Sequence, residues 1–124
     1  MFEVSVDAAF AAAHSLRGYQ GKCESLHGHN YRVRLTIAGK ELDKLGLLHD
    51  FTVLKRALRG VVNQLDHKHL NELPPFDKVN PSAENLARYI HDETVKQLAG
   101  QLSGGAATSL TVWETETAAA TYRP

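Results

Sequence analysis

Apolar and polar residues alternate over residues 30–38, and this pattern predicts a β-strand. The apolar parity holds Tyr31, Val33, Leu35 and Ile37, and the polar parity holds Arg32, Arg34 and Thr36. Residues 2–13 are also strand-like, although they become rich in alanine towards their end. If the strand over 30–38 begins near His27, both His27 and His29 lie on the face of Tyr31.

Two amphipathic stretches in the middle of the chain predict helices. Residues 50–65 carry apolar residues at steps of three and four, with Asp50 as the N-cap. A second helix is predicted from about Pro81 to Ala99, with Asn80 as its cap. Between them, residues 66–81 are predicted to form a loop that contains two proline breakers.

Two further strands are predicted near the end of the chain, over residues 108–114 and 118–122. The order strand, strand, helix, helix, strand, strand predicts an α+β fold. We expect a four-stranded antiparallel sheet with both helices on one face. The face that carries Arg32 and Arg34 is expected to be solvated, unless sheets from several subunits enclose a water-filled interior.

Composition limits the classes of function. The chain has 124 residues, which predicts one domain over 1–124, and its 14 basic and 14 acidic residues give no electrostatic reason to bind nucleic acid or a membrane surface. The single cysteine excludes an internal disulfide and fits a reducing compartment. The first residues do not resemble a signal peptide, and no stretch approaches the ~20 apolar residues of a membrane span. We therefore expect a cytoplasmic protein.

Histidines near the first predicted turn suggest a metal site. His27 and His29 are predicted to point the same way, and His14 lies on the neighbouring strand. Neutral imidazole is the commonest metal ligand, and three such ligands leave an open position for water or substrate. Zinc suits this set best, although imidazole also binds iron and nickel.

The single cysteine, Cys23, precedes the His27-Gly28-His29 motif by four residues and has polar neighbours. Beside a dication its thiol would ionise readily. Cys23 could close the site as a fourth ligand, or it could be a base or nucleophile beside an open site. The spacing leaves both interpretations standing.

Three acidic residues and one more histidine complete the candidates. Asp66 and His67 could serve in acid–base chemistry, each acting on Cys23 separately, since adjacent residues rarely hydrogen-bond to each other. From the residues alone, a polar helix terminus is the favoured explanation. Glu114 has the parity of the apolar residues in its strand, and it could accept two parallel hydrogen bonds from a planar amidine-like edge. Glu84 is a favourable charge in the first turn of a helix.

Taken together, these motifs resemble the 6-pyruvoyl-tetrahydropterin synthase superfamily, and within it most closely the bacterial 6-carboxytetrahydropterin synthases of queuosine biosynthesis. The matching segments extend over nearly the whole sequence: Phe10-Ala-Ala-Ala-His14, Cys23-x-x-x-His27-Gly-His29-Asn-Tyr31, Asp50-Phe-x-x-Leu-Lys55, Leu65-Asp-His67, Leu70-Asn71, Asn80-Pro-Ser-x-Glu84-Asn85, Glu114-Thr and Tyr122. Two departures are Ala83, where relatives often carry threonine, and Trp113, where some carry lysine.

The resemblance implies a tunnelling fold, in which protomers form a trimeric barrel and two trimers stack into a hexamer. Arg32, Arg34 and Thr36 would then line the barrel interior. The implied zinc ligands are His14, His27 and His29. The implied acid–base residues, at subunit interfaces, are Cys23, Asp66 and His67. Glu114 would bind the edge of the pterin, and Glu84 would help to bind the substrate.

The implied reaction converts 7,8-dihydroneopterin triphosphate to 6-carboxytetrahydropterin, acetaldehyde and triphosphate. Zinc would acidify a C–H bond in the side chain of the substrate, and the Cys23 thiolate would remove the proton. The short gap between Cys23 and His27 resembles the carboxy-forming enzymes.

Two alternatives remain open at the level of sequence. One is another pterin activity on the same scaffold, either pyruvoyl-tetrahydropterin formation or aldolase-like cleavage. Relatives with the aldolase role typically carry a glutamate in place of the cysteine, so Cys23 argues against a pure form of that role, although Glu24 adjoins it. The other is a structural zinc module in which Cys23 is the fourth ligand.

Overall fold

A computed structural model describes residues 1–20, 25–102 and 106–124 of the chain. The elements are β1 (Phe2–His14), β2 (His27–Gly39), α1 (Phe51–Val62), β3 (Lys68–His69), a short 3₁₀ helix (Leu70–Glu72), α2 (Ala83–Gln97), β4 (Ala107–Thr115) and β5 (Ala118–Tyr122). This is the predicted α+β order, and all four strands predicted from the sequence are present.

The strands form one sheet in the order β3-β1-β2-β4-β5. β1 and β2 pair antiparallel along their full length, from Phe2 opposite Gly39 to His14 opposite His27. β4 pairs antiparallel with β2, and β5 with β4. Because β2 begins at His27, the two histidines of the His-Gly-His motif lie on the same face of the sheet, as predicted.

The prediction of four strands was wrong, because the sheet has a fifth. Lys68 and His69 run parallel to Ala12 and Ala13 at the edge of β1, inside the segment predicted as a loop. Two residues are too few to produce a period-two pattern, so this strand has no signature in the sequence. It exists because the chain returns from α1 along that edge.

The helix predictions were confirmed in position, with one correction at a cap. The carboxylate of Asp50 accepts a hydrogen bond from the Thr52 amide at 2.8 Å, as predicted for the N-cap of α1. The cap of α2 is Ser82 and not Asn80, since the Ser82 hydroxyl accepts from the Asn85 amide. The Asn80 side chain instead accepts from the amide of Arg17 and donates to its carbonyl, both at 2.9 Å.

The hydrophobic core lies between the two helices and one face of the sheet. The inward residues of β2 and β4 are almost completely buried, and α1 and α2 contribute the opposing apolar stripes. Among the described residues, no helix is both long and apolar enough to cross a membrane.

The opposite face of the sheet carries a charged network. The Arg34 guanidinium donates to both carboxylate oxygens of Asp7, at 2.8 and 3.1 Å, and holds the pKa of Asp7 below its ordinary value. The Arg32 guanidinium lies 3.7 Å from the centre of the Trp113 ring. In a single protomer this face is therefore polar and open to solvent.

Candidate metal centre and acid–base pair

Three histidines converge at one end of the sheet, on the face that packs against the helices. His14 is the last residue of β1, and His27 and His29 are the first and third residues of β2. Since His14 pairs with His27 across the two strands, their side chains meet, and their Nε2 atoms lie 3.1 Å apart. The three predicted ligands are therefore neighbours.

Backbone carbonyls set the tautomers of two of these rings. Nδ1 of His14 lies 2.7 Å from the carbonyl oxygen of Pro81, and Nδ1 of His27 lies 2.7 Å from that of Ser25. A carbonyl oxygen can only accept, so in each neutral ring Nδ1 carries the proton and Nε2 keeps its lone pair. Two lone pairs 3.1 Å apart repel each other unless a cation lies between them, which is how metal-binding histidines are commonly oriented.

The third histidine contacts a carboxylate. Nε2 of His29 lies 2.9 Å from Oε1 of Glu114, and among the described residues this buried nitrogen has no partner with hydrogen-bond geometry. Burial lowers the pKa of His29, an effect that the charge of Glu114 only partly offsets. The neutral ring is therefore favoured, and this is the form that binds metals.

Glu114 lies at a bulge in β4. The pairing of β4 with β5 shifts register between Trp113 and Thr115, so that Glu114 is the extra residue. Bulges re-aim side chains and are frequent beside active sites. The Glu114 side chain is 25% exposed and lies 3.7 Å from Nε2 of His14 as well.

Together, the four side chains form a group that could hold a metal ion. Their ligand atoms all lie within 4.8 Å of one another. Two donors that share one ion at about 2.0–2.2 Å are separated by roughly 2.9–3.7 Å at ordinary coordination angles. The distances of 3.1, 2.9 and 3.7 Å between these atoms lie within that range. The donor set of three imidazoles and a carboxylate fits zinc and similar dications.

The sequence did not reveal this contact of Glu114. Its parity showed that it faces inward, but its distance from the histidines depends on the register of β4 against β2. In that register Val33 pairs with Val112 and Arg32 with Trp113, so Glu114 follows beside Tyr31. The Tyr31 ring is 1% exposed and lies 5.5 Å from that of His29.

Asp66 and His67 form a pair, contrary to the expectation that adjacent residues would act separately. Oδ2 of Asp66 lies 3.0 Å from Nδ1 of His67. The contact is possible because His67 has a φ of 58°, a left-handed conformation that is uncommon for residues other than glycine. The backbone of Ala11 anchors both residues, since its amide donates to Oδ1 of Asp66 at 2.9 Å and its carbonyl accepts from the amide of His67.

Among the described residues of one protomer, this pair is not part of the histidine cluster. The Ala11 amide, more than any other group, holds the pKa of Asp66 below its ordinary value, and the His67 side chain is 81% exposed. His67 lines a shallow groove of about 530 Å³ with residues of β1 and β2, among them Ala11, Ala13 and His29. In the part of the chain that the structure describes, neither Asp66 nor His67 belongs to the group of ligand atoms around His14.

The remaining predicted site residues are less informative. Cys23 and its neighbour Glu24 lie outside the described residues. Glu84 is exposed in the first turn of α2. Of the two departures from the family pattern, Ala83 is partly buried against the core and Trp113 lies beneath Arg32 on the outer face.

Asn71, which belongs to a matching family segment, has a supporting role that the sequence did not reveal. Its side-chain oxygen accepts from the Ser15 amide and its nitrogen donates to the Ser15 carbonyl, both at 2.9 Å. These two bonds fix the backbone immediately after His14. Only a long-range contact reveals this role, because the two residues are 56 positions apart.

Comparison with known proteins agrees with this geometry. A family model described as 6-pyruvoyl tetrahydropterin synthase matches residues 3–124. A 6-carboxy-5,6,7,8-tetrahydropterin synthase of Bacillus subtilis (strain 168) is 35% identical, over 99% of this chain and 86% of that protein. A dihydroneopterin monophosphate aldolase of Pyrococcus furiosus is also 35% identical, over 86% of this chain and 84% of that protein.

A solved structure has the same fold. The 6-pyruvoyl tetrahydropterin synthase of Caenorhabditis elegans superimposes with a TM-score of 0.84 at 26% identity, and the match spans 99% of this chain and 95% of that protein. The architecture of one sheet and two helices is therefore that of solved pterin synthases.

Proposed function

The chain belongs to the 6-pyruvoyl tetrahydropterin synthase family, and on that basis we propose that it is a zinc-dependent lyase. It converts 7,8-dihydroneopterin triphosphate and water to 6-carboxy-5,6,7,8-tetrahydropterin, acetaldehyde and triphosphate, as a cytoplasmic enzyme of queuosine biosynthesis. The similarity to the Bacillus subtilis 6-carboxytetrahydropterin synthase supports this choice of reaction.

The observation that carries the proposal is the convergence of three histidine Nε2 atoms on one point. His14, His27 and His29 would hold zinc, because two of them have their Nδ1 atoms occupied by carbonyls and the third is favoured in its neutral form. When bound by these residues, zinc would supply Lewis acidity towards the oxygen substituents on the side chain of the substrate.

The other residues bind the substrate and move protons. The Glu114 carboxylate accepts two parallel hydrogen bonds from the 2-amino group and ring N–H of the pterin. The Cys23 thiolate removes the proton from a carbon of the pterin's side chain. Asp66 accepts from the Ala11 amide and contacts Nδ1 of His67, so it orients the imidazole that exchanges protons with the thiol. Glu84 assists substrate binding from the start of α2.

The Asp66–His67 pair is not part of the group of ligand atoms in the described residues of one protomer, which supports a site shared between subunits. His67 is exposed, so it can act on a substrate that is bound by a neighbouring copy. This fits the trimer, or dimer of trimers, that the resemblance implies. The charged face of Asp7, Arg32 and Arg34 would then line the interior of the barrel.

The test is product analysis of zinc-loaded protein incubated with 7,8-dihydroneopterin triphosphate. We expect 6-carboxytetrahydropterin and acetaldehyde by mass spectrometry, and loss of both in Cys23→Ala at unchanged zinc content. His67→Ala should also lose activity, whereas His69→Ala, two residues further on, should retain it. A wild-type protein that forms none of these pterin products would contradict the proposal.

Complementation tests the shared site. Cys23→Ala and His67→Ala, each inactive alone, are unfolded together and refolded as a mixture. If Cys23 and His67 of different copies form one site, some mixed oligomers contain an intact site, and a fraction of the activity returns. A mixture that stays inactive despite subunit exchange, shown by mass spectrometry of differently tagged protomers, would place both residues in the same protomer.

Two other functions have specific support. The aldolase of Pyrococcus furiosus is as similar as the Bacillus subtilis enzyme, and Glu24 adjoins Cys23, so an aldolase-like cleavage is the second candidate. The family description favours a pyruvoyl product equally.

A structural zinc module with Cys23 as ligand predicts loss of zinc from Cys23→Ala, so the zinc content measured in the first experiment separates it from the enzymes.

A further inference from the structure

We propose that Glu114 is a fourth metal ligand while no substrate is bound, and that it leaves the metal to bind the pterin edge when substrate enters. This inference rests on the proposed function, since it concerns the same metal and the same substrate. Glu114 would thus bind first the metal and then the pterin, whereas the proposed function gives it a role in substrate binding alone.

The position of Glu114 favours a metal ligand over a simple ion pair. Oε1 of Glu114 lies 2.9 Å from Nε2 of His29 and 3.7 Å from Nε2 of His14. When the neutral His14 ring donates from Nδ1 to the Pro81 carbonyl, its Nε2 has no proton to donate and cannot hydrogen-bond to Glu114. The carboxylate oxygen nevertheless lies 3.7 Å from this nitrogen and 2.9 Å from Nε2 of His29, and these are separations that two ligands of one ion have.

The surroundings of Glu114 also allow it to change partners. It is the extra residue of a bulge at the end of β4, and its side chain is 25% exposed, while His14 is 1% exposed. The Glu114 carboxylate is therefore an accessible metal-binding group beside the deeply buried imidazole of His14. A substrate that arrives from solvent meets Glu114 before it meets His14.

The exchange of partners would change the net charge of the metal site. Three neutral imidazoles leave the charge of a bound dication unchanged, whereas one bound carboxylate lowers the net charge of the site by one unit. While Glu114 is a ligand, the Lewis acidity of the site is lowered and one coordination position is filled. When the pterin's two N–H donors take the carboxylate, both the charge and the open position become available to the side chain of the substrate.

The test uses Co²⁺, whose visible absorption depends on the number and type of its ligands, as the probe in the intact protein. Glu114→Gln should shift the Co²⁺ spectrum and weaken Co²⁺ binding at least about 10-fold, since even outer-shell changes cost about 10–100-fold. Glu116→Gln, an exposed strand-end residue, is the matched control and should change neither. Circular dichroism of each variant checks that the fold is retained.

The exchange is tested with 6-methylpterin, which has the pterin edge but no side-chain hydroxyls to bind the metal. Its addition should move the wild-type Co²⁺ spectrum towards that of Glu114→Gln and leave the Glu114→Gln spectrum unchanged. Pterin fluorescence measures binding separately. A wild-type spectrum that does not respond at saturation, or a failure of 6-methylpterin to bind at all, would overturn the exchange.

These outcomes separate the inference from the proposed function. A Glu114→Gln variant with the wild-type Co²⁺ spectrum and affinity overturns the ligand role even if the wild-type enzyme makes 6-carboxytetrahydropterin. Conversely, a wild type that makes no pterin product but shows the Glu114-dependent spectrum fails only the proposed reaction. A wild type that binds no Co²⁺ or Zn²⁺ overturns the ligand role directly.

Discussion

Nε2 of His14 and Nε2 of His27 lie 3.1 Å apart across paired strands, and each ring presents its opposite nitrogen to a backbone carbonyl. Because the carbonyls of Pro81 and Ser25 accept the Nδ1 protons, the two facing nitrogens carry lone pairs. Two hydrogen bonds to backbone carbonyls thus orient the rings so that their two Nε2 lone pairs face each other. This arrangement is stable when both nitrogens bind the same cation, and for this reason the side-chain geometry indicates a metal site.

The first prediction concerns these ligands. His27→Ala should lower Zn²⁺ affinity by at least about 10-fold, since a direct ligand contributes no less than an outer-shell partner. Isothermal titration with Zn²⁺ measures the change. His49→Ala is the control, because His49 bonds the Gln101 carbonyl at the other end of the sheet. Equal affinities of the two variants would exclude His27 from the site.

The second prediction concerns the support of His14. Asn71→Ala removes two partly buried hydrogen bonds to the Ser15 backbone and should lower the free energy of unfolding by roughly 1–3 kcal/mol. It should also weaken Zn²⁺ binding, because the backbone next to His14 is released. Urea denaturation and zinc titration measure these effects. Asn63→Ala, at the exposed end of α1, should change neither, and a metal affinity unchanged in Asn71→Ala would show that β1 alone positions His14.

The third prediction concerns the hydroxyl of Tyr31. This oxygen is buried and has no hydrogen-bond partner among the described residues, and burial raises the pKa of the phenol above its ordinary range. An unpaired buried hydroxyl costs roughly 1–3 kcal/mol, so Tyr31→Phe should raise the free energy of unfolding of the metal-free protein by about 1 kcal/mol. Urea midpoints at an unchanged m-value measure this gain. Tyr19→Phe, at an exposed position, should show none, and a destabilised Tyr31→Phe would mean that the hydroxyl has a partner in solution.

The fourth prediction concerns pH and the outer face. Hydrogen bonds from Arg34 lower the pKa of Asp7 below 3.8, so the ionised carboxylate stabilises the folded state. This contribution is complete above pH 3.8 and is lost as the pH falls through the lower folded-state pKa. Asp7→Asn should therefore cost about 1 kcal/mol or less at pH 7, given the exposure of the pair, and nothing in strong acid.

Urea denaturation of the wild type and of Asp7→Asn, at pH 7 and in strong acid, tests the predicted direction of this pH dependence. Glu3→Gln, on the same face of β1, is the control. A difference between wild type and Asp7→Asn that persists unchanged in acid would contradict the assigned pKa shift. Added salt at pH 7 should reduce the difference as well, because exposed pairs are screened.

Much of the fold could be predicted from local patterns. Alternation located β2 and β4, apolar spacing located both helices, and Asp50 was correctly identified as a cap. These features depend on residues within a few positions of each other, and for that reason a single sequence contains them. The cap at Asn80 failed because Ser82 competes for the same helix end, while Asn80 is engaged by Arg17, 63 positions away.

For the site, local sequence was enough to identify residues that are able to bind a metal and to place His27 and His29 on one face, because side-chain parity follows from β-strand geometry. Which of these residues meet depends on how distant segments pack. The register of β1 on β2 brings His14 to His27, the register of β4 on β2 brings Glu114 to His29, and the carbonyl of Pro81 selects the tautomer of His14. Each is a contact between separate segments of the protein, so packing of the whole domain fixes it and no local pattern records it.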